Sequence, residues 1–220
     1  ERERGIEHVV LGHRPAQQRR LHGASHSIMA PTLELLARGQ LGVGRTAEGV
    51  ATIEDPAPGD WPSYHRTYDA HRFSPLTQIN RTNVRRMGVA WVHQAGEITQ
   101  GLQVTPVVVD GIIYYAGSYN RVFAVDGRTG EEVWHYYPKI KDGVDKLPVG
   151  PYSRGVTVAN GLVYVGTIDG RAIALDQKTG KVAWQTQLVD TLKCGCMFTS
   201  PPLAVKDKVI FGSTRVSSPA

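Results

Sequence analysis

Cysteine is almost missing from this 220-residue chain, which holds only Cys194 and Cys196. Two thiols one residue apart cannot build a disulfide framework, nor fill a four-ligand zinc site alone. They read as two free thiols or a local disulfide, and they leave the compartment open. No apolar run approaches the roughly 18 residues of a membrane-spanning helix, and no secretory h-region is present. The first residue is Glu1 and not Met, so a targeting segment is allowed to lie outside the chain. Charge of one sign is also not concentrated. The net charge is +5; residues 1–50 contain seven Arg and five Glu, net +2, and the remainder adds +3. Without a Lys/Arg stripe interleaved with aromatics, a nucleic-acid partner is not expected. The 41% hydrophobic and 20% charged content is that of a soluble globular protein with a real core.

Residues 1–57 differ from the rest of the chain. They hold four of the eight His and no Lys, and they lack alternating strand patterns. PTLELLARG (31–39) suggests a helical turn or two. The segment reads as a poorly ordered extension, with the folded domain over 58–220.

From Asp60 the texture changes. DWPSYHRTYDAHRFSPLTQINRTNV is polar and aromatic, suited to a long ordered arm, and GVAWVHQ (88–94) then alternates as a strand would. TPVVVDGIIYYAGS is two apolar runs about Asp110-Gly111, a hairpin signal. AVDGRTGEEVWHY (124–136) recurs as ALDQKTGKVAWQT (174–186), which sets Trp134 and Trp184 fifty positions apart. Further hairpins fall at Asn160-Gly161 and Asp169-Gly170, and a third copy starts at SPPLAVKDKVIFGS (200–213) with its turn at Lys206-Asp207. A fixed period of this size marks a repeat architecture. Four short antiparallel strands per repeat make a propeller blade, so the fold class is all-β, a β-propeller with about two and a half blades present. Asp126 and Asp176 can accept backbone N–H bonds within their turns. Gly130 and Gly180 supply the positive φ that starts the last strand in register. Each tryptophan ends that strand as a wedge between blades.

These stretches resemble the quinoprotein alcohol dehydrogenases, the methanol/ethanol type dependent on pyrroloquinoline quinone (PQQ). The arm, with its W-x-x-Y-x-R and R-F-S-P-L-x-Q-I-N steps, and the two D-x-x-T-G-x-x-x-W blades carry the likeness from Asp60 to Ser213. The resemblance implies an eight-bladed propeller with PQQ and a metal, usually calcium, near its axis. About two and a half blades would leave open sheet edges, so the chain is expected to be an N-terminal part of a protein about three times as long.

Site residues are implied by the resemblance one at a time. Gln103, in Gly101-Leu102-Gln103-Val104-Thr105-Pro106, stands where many members carry a quinone-contacting Glu. Arg154, in Ser153-Arg154-Gly155, matches the Arg that pairs with a PQQ carboxylate, for which a planar guanidinium is suited. Thr199 matches a hydroxyl donor to the cofactor, and Thr214 a further cofactor contact. Three departures stand out. KDGVDKLPVGPYSRG lacks the adjacent cysteine pair that many members place before this Arg. Cys194-Gly195-Cys196 lies about forty residues later and is not that pair. Ser217 falls where the family's metal-binding Glu belongs. The other metal ligands and the catalytic Asp are expected past Ala220.

The implied reaction is oxidation of an alcohol, or of a polyol or sugar. An Asp base takes the hydroxyl proton, hydride passes to the quinone, and calcium polarises the quinone carbonyl. Cytochrome c or a membrane quinone would accept the electrons, in the periplasm. Two alternatives stay open, a membrane-bound glucose or quinate type and a non-catalytic propeller scaffold. A scaffold needs neither the arm motif around Arg72–Asn80 nor the Ser153-Arg154-Gly155 step.

Overall fold

A computed structural model describes residues 8–10, 33–37, 53–96, 101–144, 150–205 and 208–215. The expectations for Lys206-Asp207 and Ser217 lie outside these, as does most of the 1–57 segment.

Strands β3 (Val107–Val109), β4 (Ile112–Ala116), β5 (Val122–Asp126) and β6 (Glu132–Tyr136) form one four-stranded antiparallel sheet in chain order. β7 (Thr157–Ala159), β8 (Leu162–Gly166), β9 (Arg171–Asp176) and β10 (Val182–Gln187) form a second. These are two propeller blades, as the repeat implied. The hairpin glycines explain the sharp reversals. Asp110 and Gly111 have φ of 54° and 76°, and Asn160 and Gly161 have 56° and 73°, the paired left-handed values of a two-residue β-turn.

A third sheet carries β12 (Leu203–Val205) paired with β13 (Lys208–Arg215). β2 (Leu33–Ala37) adds to β13 and β1 (His8–Val10) adds to β2, while β11 (Cys196–Met197) pairs with the far end of β13. The expected helical turn at 31–39 is thus corrected: Leu33–Ala37 is a strand. An open β13 edge offers a complete hydrogen-bond ladder, and pairing of that kind outweighs weak local helix preference.

Blade packing rests on a repeated contact. In β6 and β10 the register shifts by one residue, so Val133 and Ala183 bulge and the next side chains, Trp134 and Trp184, are re-aimed. Trp134 lies flat on the next blade's turn. A Cβ at Gly180 would sit 2.6 Å from its ring, and its Nε1–H donates to the Gln177 carbonyl at 3.0 Å. Tyr114 Oη donates to the same carbonyl at 3.4 Å. Trp91 repeats the arrangement one blade earlier, against Gly130 and the Gly127 carbonyl at 3.1 Å. Trp184 Nε1 and Tyr164 Oη, the equivalent pair of the second blade, are buried without a hydrogen-bond partner among the described residues. Around these seats one core joins the first two blades through Val107, Tyr114, Trp134, Val163 and Ile173. Another joins the second blade to the third through Tyr164, Phe198, Phe211 and Ile53. Ile53 lies within 1–57 yet is wholly buried.

The arm runs across the inner strands. Trp61 exchanges backbone bonds with Val108 at 2.7 and 2.9 Å, Val158 donates to the Pro62 carbonyl at 3.3 Å, and Tyr68 Oη donates to the Ala204 carbonyl at 2.6 Å. Val108, Val158 and Ala204 are the middle residues of β3, β7 and β12, so the arm touches three blades in turn. GVAWVHQ does not form the strand its alternation suggested. Trp91, His93 and Ala95 do face the first blade, but no described strand pairs with this segment, and Val89 and Val92 are exposed.

Two outcomes are expected. Trp134→Ala should lower stability by about 3–5 kcal/mol in urea unfolding, as for other large core truncations. Gly180→Ala should also destabilise measurably, because φ is +69° and the new methyl meets the indole; a wild-type midpoint in both variants would contradict the seat. Second, backbone N–H bonds from Thr129 and Arg128 hold the Asp126 carboxyl below its usual range, and bonds from the Thr179 hydroxyl, Thr179 N and Lys178 N do the same for Asp176. A depressed folded pKa contributes stability above the unfolded value, lost as pH falls through the folded one. Asn at both positions keeps the turn bonds but does not titrate. The double Asp→Asn variant should therefore lose less stability than wild type as pH falls below about 4; identical acid limbs would contradict this.

Candidate functional site

The segments that lead into the inner strands lie side by side. Thr105 N donates to the Arg154 carbonyl at 3.1 Å, and Arg154 N donates to the Thr199 carbonyl at 2.8 Å. Gln103, Ser153 and Thr199 each stand four residues ahead of an inner strand (107 − 4, 157 − 4, 203 − 4), so they are equivalent positions of the repeat. Gly155 allows the segments to close up. Its φ is +143°, and a Cβ there would come within 3.1 Å of the Thr105 carbonyl oxygen.

Arg154 is the charged centre of this arrangement. Its Nη1 donates to Thr199 Oγ1 at 2.8 Å, and its guanidinium lies 5.1 Å from the Tyr152 ring centroid. Arg154 is half-buried, Thr199 is 2% exposed and Ser153 is buried. No carboxylate among the described residues pairs with Arg154. A partly desolvated guanidinium held by a neutral hydroxyl keeps donors for an external anion. Thr199 Oγ1 accepts from Arg154 and so retains its own O–H as a donor.

Arg154 borders a cavity of about 470 Å³. Ser63, Tyr64, His65, Thr67 and Tyr68 of the arm line one side, and Ser200–Leu203 line the other. None of its lining residues is acidic. The residues named from the sequence are spread unevenly in space. Arg154 and Thr199 come together. Gln103 is exposed and outside the cavity lining. Thr214 is exposed and donates to the Met197 carbonyl at 3.5 Å, on the far end of β13. Cys194, the last residue of the short helix Thr191–Cys194, and Cys196, the first residue of β11, are joined in a disulfide.

Residues 61–219 match the family description "PQQ: Glucose/ethanol/alcohol dehydrogenase, beta-propeller domain". The chain belongs to the PQQ-dependent alcohol dehydrogenase family. Among its relatives is the quinohemoprotein alcohol dehydrogenase ADH IIB of Pseudomonas putida, 44% identical over 76% of this chain and 24% of the relative. The quinohemoprotein alcohol dehydrogenase of Comamonas testosteroni is 43% identical over 70% of this chain and 22% of the relative. The solved structure of ADHIIG from Pseudomonas putida HK5 superposes with a TM-score of 0.70 at 39% identity, covering 74% of this chain and 24% of that one. A europium-containing methanol dehydrogenase superposes with a TM-score of 0.65 at 34% identity, covering 76% and 29%. The chain thus spans about a quarter of the length of these family members.

The donor set around Arg154 fits the PQQ of this family. The cofactor's carboxylates call for an unpaired guanidinium and hydroxyl donors in a space free of acids, and the cavity supplies these. Among the described residues, no group of three or more His, Cys, Asp or Glu could hold a metal ion. The motifs in the sequence point to site residues at the blade lead-ins and to Thr214 on β13, and miss the arm residues that line the cavity. The signal available for these was the polar aromatic run Tyr64-His65-Arg66-Thr67-Tyr68, in a segment that also carries the family's arm motif.

Proposed function

We propose that this chain forms one wall of the PQQ site in a quinoprotein dehydrogenase that oxidises alcohols. The observation that carries this reading is Arg154, a half-buried guanidinium anchored to Thr199, without a carboxylate partner among the described residues, at the edge of an acid-free cavity. PQQ, when bound, supplies the two-electron acceptor for the alcohol. Arg154 would hold one cofactor carboxylate by two parallel N–H bonds. Thr199 fixes the guanidinium plane by accepting from Nη1, and Gly155 lets the lead-in backbone come close enough to bring both together. Gln103 and Thr214 belong to the same reading as outer contacts. They are exposed, so any role they have requires an element placed against them.

Calcium is part of this reading through the family, with ligands outside the described residues. An alcohol or sugar substrate, a cytochrome c or membrane quinone as electron acceptor, and a periplasmic location complete it. The names of the relatives support the substrate class; they are quinohemoprotein alcohol dehydrogenases and the dehydrogenase subunit of a quinone-type alcohol dehydrogenase.

The test is PQQ titration of the intact protein with Arg154 variants. Arg154→Ala should weaken binding by about 2–4 kcal/mol, the scale for breaking a buried charge-assisted pair, which is roughly 30- to 1000-fold. Arg154→Lys keeps the charge but loses the planar fork, and should fall between. Melting of the cofactor-free forms should change much less, because the anionic partner is the cofactor. Wild-type PQQ affinity in Arg154→Ala together with a much lower apo melting temperature would show a purely structural arginine.

A further inference from the structure

The arm holds a second nitrogen donor at the Arg154 cavity. His65 lines the cavity opposite the blade lead-ins. Its Nδ1 accepts a hydrogen bond from Arg72 Nε at 2.9 Å. A guanidinium can only donate, so this Nδ1 carries no proton, and the imidazole keeps its hydrogen on Nε2. Arg72 is itself held, with its guanidinium 4.7 Å from the Tyr64 ring centroid. Tyr64 meets the His65 ring edge-on, with centroids 4.8 Å apart and planes at 84°.

The arm is bent to present this group. Arg66, Ala70 and Arg72 have φ of 75°, 58° and 52°, left-handed values that side-chain-bearing residues avoid. Arg66 pins the bend by donating to the carbonyls of Asp60 at 3.2 Å and Pro56 at 3.3 Å. Tyr68 fastens the other end to the Ala204 carbonyl. His65 directly precedes the first of these anchors in the chain. A volume of about 470 Å³ is in the range of small-molecule sites.

We propose that His65 is a ligand-holding residue. Its Nε2–H and the Arg154 guanidinium hold one carboxylate-bearing ligand between arm and blades, and Arg72 is the positioning residue that fixes the His65 tautomer. The identity of that ligand as PQQ rests on the function proposed above; the site itself rests on the cavity and its donors. The arm is then a working part of the binding wall as well as a packing element across the inner strands.

Calorimetric titration of the intact protein with two probes tests this. One probe is PQQ. The other is benzene-1,3,5-tricarboxylate, which offers carboxylates but no quinone. His65→Ala should weaken both by about tenfold, the usual scale of a hydrogen bond to a charged group. His65→Gln keeps an N–H donor and should recover part of the loss; it also serves if the alanine variant folds poorly. Imidazole nitrogen NMR should show the Nε2–H form of His65 in the wild type, and a mixture of tautomers in Arg72→Ala. Unchanged affinity for both probes in His65→Ala and His65→Gln, or no binding of either probe to the wild type, overturns the proposal. Tricarboxylate binding that depends on His65, with no binding of PQQ, upholds the site and removes PQQ as its ligand.

Discussion

An indole laid on a glycine seats one blade on the next, and the rest of the molecule depends on it. Trp134 covers Gly180 and donates to the Gln177 carbonyl. That single contact explains three features of the repeat. The glycine must be bare, because any side chain would occupy the space of the ring. The Asp176 carboxylate must shape the turn so that the Gln177 carbonyl points at the neighbouring blade. The bulge at Val133 must re-aim the tryptophan out of its own sheet. Trp91 against Gly130 shows that the same seat operates from the arm onto the first blade.

Seated blades bring their lead-in segments into register near the inner strands. Thr105, Arg154 and Thr199 then bond backbone to backbone, one blade to the next. Arg154 is fixed at its main chain from both sides and at its side chain by Thr199. A charged residue held in this way keeps little conformational freedom to lose on binding a ligand. The arm reaches the same place by pairing with the middle of each inner strand, so the cavity lies between two independently anchored walls. Site and scaffold are therefore one arrangement, and a change at a distant seat such as Gly180 would propagate to the lead-ins.

Much of this is legible in the sequence because its signals are local. The Asp110-Gly111 and Asn160-Gly161 reversals, the D-x-x-T-G turns and the four-strand period each arise from turn chemistry within a few residues. That Arg154 and Thr199 belong to one site is legible only through family motifs, since 45 positions separate the two, and their hydrogen bond is not legible at all. The hidden part is long-range. The bulges at Val133 and Ala183 leave no residue signature. GVAWVHQ alternates like a strand, yet strand formation needs a neighbour that alternation does not guarantee. Leu33–Ala37 suggests a helix in isolation because a short, mostly apolar run is ambiguous between the two states. The polar aromatic run marks the arm segment but not where His65 lies, because the arm's course depends on three left-handed residues that are not glycine.

In the proposed site, Arg154 serves a bound anion and not the fold. A crystal structure of the intact protein with PQQ tests it most directly. A PQQ carboxylate is expected within hydrogen-bond distance of the Arg154 guanidinium, with the Thr199 contact retained. PQQ bound elsewhere, with Arg154 paired to a protein carboxylate, would contradict it.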